Sequence, residues 1–458
     1  MSNLWQMQLH PGNADWDLCE FDKLILTHSV IGMGDEWEND GGAPRRFKED
    51  MQIGDIVVLR HQGSPRYMVE VVSECIRNEG ENQIDVWFAI YRKVRVLSSE
   101  GVIFKDLYYT ETKRTWSSHG FFGPTTFQTA NDWDFAHYWY DKIKKNKQMK
   151  HFCESLENCK NLILTGAPGT GKTYLAKQIA AQMILGKEYD ENVASEKEKM
   201  EEQYDFVQFH PSYDYTDFVE GLRPIDDGKG NVSFRREDGI FMDFCRRALK
   251  AYNNATDEEK TPKYVFVIDE INRGELSKIF GELFFCIDPG YRGEDGKVKT
   301  QYNNLWKEDK FDDSDFFFIP KNVYIIGTMN DIDRSVESMD FAMRRRFAFK
   351  EVKAEDNMEM LKANEALAPF YDKIEERMNN LNLCILTIQG FTTAYQIGAA
   401  YFLKMTNYLV DGNVEDQSWM NLWENHLYGL LFEYLRGLPN AEDDLEKLHR
   451  AYNLEDKY

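Results

Sequence analysis

The chain has 458 residues, 42% of them hydrophobic and 14% aromatic, and a formal net charge of −23. That length predicts two or three domains, and that apolar content excludes a disordered chain. The acidity excludes a general polyanion-binding surface, which needs concentrated Lys and Arg. It is uneven: residues 1–150 carry about −4 and the rest about −19, which favours the N-terminal third for any nucleic-acid contact.

Residues 1–140 read as strands, with D-I-V-V-L-R-H (55–61), R-Y-M-V-E-V-V (66–72) and I-D-V-W-F-A-I (84–90) separated by Gly, Pro, Asn and Ser turns. This spacing predicts a small barrel or curled sheet. A basic segment, D-K-I-K-K-N-K-Q-M-K (141–150), reads as a linker helix. From 151 to 354 the rhythm is strand, loop, helix, with apolar runs at 161–165, 206–209, 264–269, 323–328 and 346–349. Leu276, Ile279, Phe280, Leu283 and Phe284 share one face at the helical period. Such alternation implies an α/β domain with a parallel sheet covered on both sides. Residues 355–458 are predicted helical. Two insertions interrupt the α/β region: a hairpin near 225–239 and a long, polar, mobile loop at 292–315.

No apolar run approaches the roughly 18 residues that span a bilayer, and M-S-N-L-W-Q-M-Q-L-H lacks the layout of a secretion signal. Seven scattered cysteines fit reduced thiols, and Cys153 and Cys159 have no partner cluster for a metal. A cytoplasmic protein without membrane contact is the expectation.

G-A-P-G-T-G-K-T (166–173) follows the first apolar run of the α/β region and opens a helix, the setting a phosphate-binding loop requires. Gly166, Gly169 and Gly171, with Ala167, Pro168 and Thr170 between them, let backbone N–H groups converge on phosphate oxygens. Lys172 is placed to reach the β- and γ-phosphates and Thr173 to hold Mg²⁺. In V-F-V-I-D-E-I-N-R-G (265–274), Asp269 ends a buried strand and suits a water-mediated Mg²⁺ contact, while Glu270 can orient or deprotonate the attacking water. In Y-I-I-G-T-M-N, Asn330 lies just past another strand, where parallel sheets bind ligands. Arg344, Arg345 and Arg346 come too late to act with Asn330, and read as fingers offered to a neighbouring subunit's nucleotide.

Together these pieces resemble AAA+ ATPases, a parallel P-loop sheet with a C-terminal helical lid. More narrowly, F-H-P-S-Y-D-Y-T-D-F-V-E-G-L-R-P (209–224), V-I-D-E-I-N-R-G-E-L-S-K-I-F-G-E-L (267–283) and I-G-T-M-N-D-I-D-R-S (326–335) resemble the McrB family over roughly 160–402. Against that family's M-N-T-A-D-R-S, Asn330, Asp333 and Arg334 fit and Asp331 and Ile332 differ; its I-G-H-S-Y-F reads I-G-A-A-Y-F at 397–402. The resemblance implies GTP with Mg²⁺, a homo-hexamer, a catalytic part for Asp333, and a separate McrC-type endonuclease that cuts DNA. ATP stays open, because the N/T-K-x-D element that reads guanine in other GTPases is absent.

The N-terminal region resembles the EVE and YTH members of the PUA-like barrels, through M-Q-I-G-D-I-V-V-L-R-H-Q (51–62) and Y-M-V-E-V-V. Such domains take a flipped modified base of double-stranded DNA into an aromatic pocket. Ser29, Trp37, His61 and Trp116 are the candidates here. The expected function is thus a GTP-driven motor of modification-dependent restriction. The alternative is an ATP-driven MoxR-like remodeller that uses the barrel to dock proteins.

Overall fold

The computed structural model describes residues 3–9, 17–34, 43–61, 64–112, 127–129, 134–226, 232–257, 261–306, 311, 315–332 and 341–458. It divides into two compact units, Met1–Lys150 and His151–Tyr458. A single helix, Asp134–Cys159, runs through the segment where the sequence suggested a linker.

The first unit is built on strands β1 (Leu4–Gln8), β2 (Val30–Met33), β3 (Ile56–His61), β4 (Ser64–Val71), β5 (Ile76–Arg77), β6 (Ile90–Ser98) and β7 (Phe127–Thr129). Their lateral order is β2-β6-β4-β3-β1-β7, with β5 also on β6. Only β1 and β3 run parallel among the described pairs. β6 pairs with β2 through Ile90–Lys93 and with β4 from Val94 onward, so one long strand turns the sheet back on itself. This β-rich unit is compatible with a small barrel.

The run I-V-V-L of β3 is apolar throughout because both faces are covered. Val57 and Leu59 join Trp5, Phe21 and Phe47 on one face, and Ile56 and Val58 meet Phe104, Phe135 and Trp139 on the other. The expected strand at 84–90 does not form, and only Ile90 enters a ladder. Asn78 explains why. Its side-chain amide donates to the carbonyls of Ile84 (3.3 Å), Val86 (3.3 Å) and Phe88 (2.8 Å), and its oxygen accepts from Ile84 N (2.7 Å). Three alternate carbonyls of the run thus turn to one side chain instead of to a neighbouring strand.

The second unit contains β8 (Asn161–Thr165), β9 (Tyr204–Gln208), β10 (Glu220–Asp226), β11 (Val232–Asp238), β12 (Tyr264–Asp269), β13 (Val323–Thr328) and β14 (Ala348–Glu351). Five of them form a sheet ordered β14-β8-β13-β12-β9, parallel throughout. Its core is rich in aromatics: Phe218 stacks on Phe241 at 4.8 Å, and both meet Phe266 of β12 edge-on. The chain after β14 is helical, with its own core around Ile374, Met378, Leu422, Leu431 and Leu448.

β10 and β11 pair antiparallel, as the hairpin expected near 225–239. The polar insertion at 292–315 is packed where described, against the expectation of a mobile loop. Trp306 and Phe311 are buried and Val298 bridges to Phe317. Glu220, wholly buried at the base of the hairpin, accepts from Trp306 Nε1 (2.8 Å) and Tyr302 N (2.8 Å) and pairs with Arg236. A buried carboxylate is tolerated only when so satisfied, and these contacts tie the insertion to the hairpin.

Candidate nucleotide site

β8 is buried from Asn161 to Leu164 and delivers the chain to the loop 166–171, from which the helix Lys172–Leu185 starts. Gly166 and Gly169 have φ of 140° and 76°. A Cβ at Gly166 would stand 2.3 Å from the Val352 carbonyl oxygen, so glycine alone fits between β8 and β14 there. Lys172 is buried, and its Nζ donates to the carbonyls of Gly166 (3.0 Å) and Ala167 (2.8 Å). Burial lowers its pKa to about 8, against the pull of Glu270, Asp331 and Asp269. An ammonium so held, above a loop whose glycines free its N–H groups, fits the β- and γ-phosphates of a nucleotide.

Two adjacent strand ends carry the acidic half. Thr173 Oγ1 donates to Asp269 Oδ1 at 2.7 Å, and Thr328 Oγ1 donates to the same oxygen at 2.6 Å while accepting from Glu270 N at 3.2 Å. A hydroxyl and a carboxylate at this spacing fit Mg²⁺ held by Thr173, with Asp269 behind it. Glu270 has φ of 50°, left-handed backbone that a non-glycine residue adopts at a cost. Its carboxylate accepts from Asn330 Nδ2 (2.8 Å) and from Arg273 Nε (3.2 Å). Burial raises its pKa, with Arg273 opposing. Asp331 is likewise raised by burial, with Lys172 opposing.

The helical region seats directly on the loop. Gly398 N donates to Pro168 O (3.0 Å), Ala400 N to Gly169 O (3.0 Å) and Asn357 Nδ2 to Thr170 O (2.5 Å). A Cβ at Gly398 would lie 2.2 Å from the Gly169 carbonyl. The stretch I-G-A-A-Y-F therefore works here through its backbone, and neither Ala399 nor Ala400 supplies a polar side chain.

The structure brings Lys172, Thr173, Asp269, Glu270 and Asn330 together. Asp333, and Arg334 after it, lie outside the described residues. Arg344 and Arg345 are exposed on a short helix, Phe341–Arg344, and its end. Arg346 is 8% exposed: its guanidinium donates to Ala342 O (2.6 Å) and lies 4.4 Å from the Phe284 ring, and its carbonyl accepts from Asn161 Nδ2 (2.8 Å). Arg273 and Asn357 escaped the sequence reading. Arg273 follows Glu270 by three residues, the one signal that could have found it.

In the first unit, Ser29 sits just before β2 with φ of 51°, and its carbonyl accepts from Val94 N (2.8 Å). His61 ends β3, 6% exposed, with its ring 5.3 Å from Phe21. Trp37 and Trp116 lie outside the described residues.

Residues 161–347 match the AAA domain of the dynein-related subfamily. The chain is 38% identical over 269 residues to the EcoKMcrB subunit of the type IV methyl-directed restriction enzyme of Escherichia coli (strain K12), covering 57% of this chain and 50% of that protein. It is 27% identical over 218 residues to the YdiS component of the type II restriction enzyme BsuMI of Bacillus subtilis (strain 168), covering 43% and 58%. A crystal structure of a protein from Cytophaga hutchinsonii aligns over 68% of this chain and 80% of its own at 13% identity, with a TM-score of 0.26 that carries no argument. The chain spans about half the length of the curated relatives it matches. Residues 161–347 thus carry an AAA domain, and the chain is similar over that region to the McrB subunit and to a second restriction-system component.

Proposed function

We propose that this protein is the nucleoside-triphosphate-hydrolysing motor of a McrBC-type restriction system, with GTP as its substrate. The observation that carries the reading is the convergence at the carboxyl edge of the sheet of Thr173 bonded to Asp269, Asn330 bonded to Glu270, and Lys172 within the field of both carboxylates. Lys172 would exchange its loop carbonyls for β- and γ-phosphate oxygens. Thr173, with Asp269 behind it, would hold Mg²⁺, which neutralises charge between the phosphates when bound. Glu270 accepts a proton from, or orients, the attacking water, and Asn330 fixes the carboxylate that does so. Asp333 belongs to the same segment by family pattern. Arg344 and Arg345, exposed and without an ion pair among the described residues, suit a finger reaching a neighbouring subunit's site in a homo-hexamer; Arg346 is spent on its own helix and Phe284.

In this reading the domains run 1–140, 141–150, 151–354 and 355–458. The first reads modified double-stranded DNA through Ser29, Trp37, His61 and Trp116, and a separate McrC-type endonuclease cuts, all in the cytoplasm. The test is steady-state hydrolysis of GTP and ATP side by side with Mg²⁺, over a range of protein concentrations. A preference for GTP with activity rising steeply with concentration supports a McrB-type motor whose site a neighbour completes. A preference for ATP moves the assignment to a remodeller of protein partners, and hydrolysis of neither sinks both.

A further inference from the structure

The C-terminal helices contain a cavity of about 620 Å³, which none of the chemistry above uses. That volume is within the range of pockets that bind small molecules or side chains, roughly 300–1,000 Å³. Its floor is aromatic. Trp419 and Trp423 are 6% and 5% exposed, and the Trp423 ring lies 5.2 Å from Tyr452 and 4.6 Å from His449. Its rim is acidic. The carboxylates of Asp416 and Glu424 make no ion pair or hydrogen bond among the described residues, and Asp416 meets Arg377 only at longer range.

Two further features point to a ligand. The helix Asp416–Leu422 passes into a π-helical turn, Trp423–Leu427, before resuming as Tyr428–Leu435. Such turns sacrifice regular hydrogen bonding and concentrate at functional sites; this one opens with Trp423 and Glu424, both in the cavity wall. The wall also already holds one planar cation. The Arg377 guanidinium stacks 4.3 Å over Trp419 and 5.7 Å over Tyr452, and its Nη1 donates to the Tyr452 carbonyl at 3.2 Å. Arg377 is thereby tied off, while the two carboxylates are not.

The charge around the cavity selects the partner. Residues 355–458 hold 18 acidic against eight basic side chains, which repels nucleic acid and attracts a cation. Met420, Tyr428 and Phe432, 53%, 46% and 45% exposed, extend the rim as an apolar stripe on the same helix. We propose that this cavity receives an arginine side chain from an apolar-flanked segment of a partner polypeptide. The guanidinium stacks against the rings and pairs with Asp416 and Glu424, and the flanking residues lie along the stripe.

The test uses the full chain and a labelled peptide, Gly-Leu-Arg-Leu-Gly, with a counterpart carrying neutral citrulline in place of arginine, both followed by fluorescence anisotropy to millimolar concentration. The arginine peptide is expected to bind at least tenfold more tightly than the citrulline peptide. Asp416→Asn combined with Glu424→Gln should erase that difference while leaving the thermal midpoint and nucleotide hydrolysis unchanged. Equal binding of the two peptides, no binding of either, or an unaltered preference in the double variant would each overturn the proposal. So would a double variant that changes oligomeric state while the wild type ignores the peptide, an outcome that gives the cavity to a second copy of this chain.

Discussion

The nucleotide site and the candidate base-binding site are held together in different ways. At the edge of the parallel sheet, Asp269 is the last residue of β12, Glu270 the next, and Asn330 stands two past β13. Buried strands with fixed parallel register place those ends, so side chains distant in sequence converge without help from any loop. In the first unit Ser29 precedes β2 and His61 ends β3, strands that are not neighbours in the sheet. A pocket built from them depends on tertiary closure, with both tryptophans supplied from elsewhere in the chain. Motifs tied to strand ends carry their geometry with them; an aromatic pocket does not.

The sharpest way to break the comparison is at the loop. Lys172→Ala should abolish nucleotide binding up to millimolar concentration, measured by calorimetry, and leave the folding of the first unit intact by circular dichroism. Arg345→Ala should retain binding and lose hydrolysis by about 10³-fold or more, the scale of an arginine finger. Activity should return when the variant is mixed with Glu270→Gln subunits, because each then supplies what the other lacks. An unrescued mixture would place Arg345 outside any shared site. Glu270→Gln alone should bind nucleotide normally and hydrolyse it about 10²–10⁴-fold more slowly. Arg346→Ala should instead lower stability, since its guanidinium covers Phe284 and satisfies the Ala342 carbonyl.

How much was legible follows the same line. The phosphate loop, Asp269, Glu270 and Asn330 could be placed because each motif sits between an apolar run and a helix or turn. The five parallel strands were found within about two residues at their ends. The failures are tertiary. The apolar run at 84–90 has a strand's composition, but Asn78, six to ten residues earlier, claims its carbonyls. The insertion at 292–315 has a loop's composition, yet Glu220, some 80 residues before it, anchors Trp306 and Tyr302. The three arginines look alike in sequence; only the packing of Phe284 and Asn161 singles out Arg346. The seating of Gly398 and Ala400 on the loop uses backbone atoms, which no side-chain pattern announces.

The first unit offers a smaller and more selective effect. Trp37→Ala and Trp116→Ala are expected to weaken binding of a duplex carrying the recognised modified base by about 1–3 kcal/mol each, about 5- to 150-fold, as loss of one base-stacking ring does. Nucleotide hydrolysis in the absence of DNA should be unaffected. Equal weakening for modified and unmodified duplexes would mean that these rings support the fold rather than read a base.

The smallest expected effect tests what burial does to Lys172. Its pKa is lowered to about 8 from 10.5, mainly by desolvation. Between those values the unfolded chain binds more protons than the folded one, so stability of the nucleotide-free protein should rise with pH across that window and fall as pH drops to 8. Lys172→Met should remove this rise. Phosphates require the charged amine, so binding should draw a proton back onto Lys172. Affinity should then decline above pH 8, by up to about tenfold per pH unit. Calorimetry in buffers of different ionisation enthalpy would detect the proton taken up. Affinity that stays flat from pH 7 to 9, with no proton uptake, would mean that the carbonyls of Gly166 and Ala167 stabilise the ammonium enough to offset its burial. The loop would then be poised for phosphate before any nucleotide arrives.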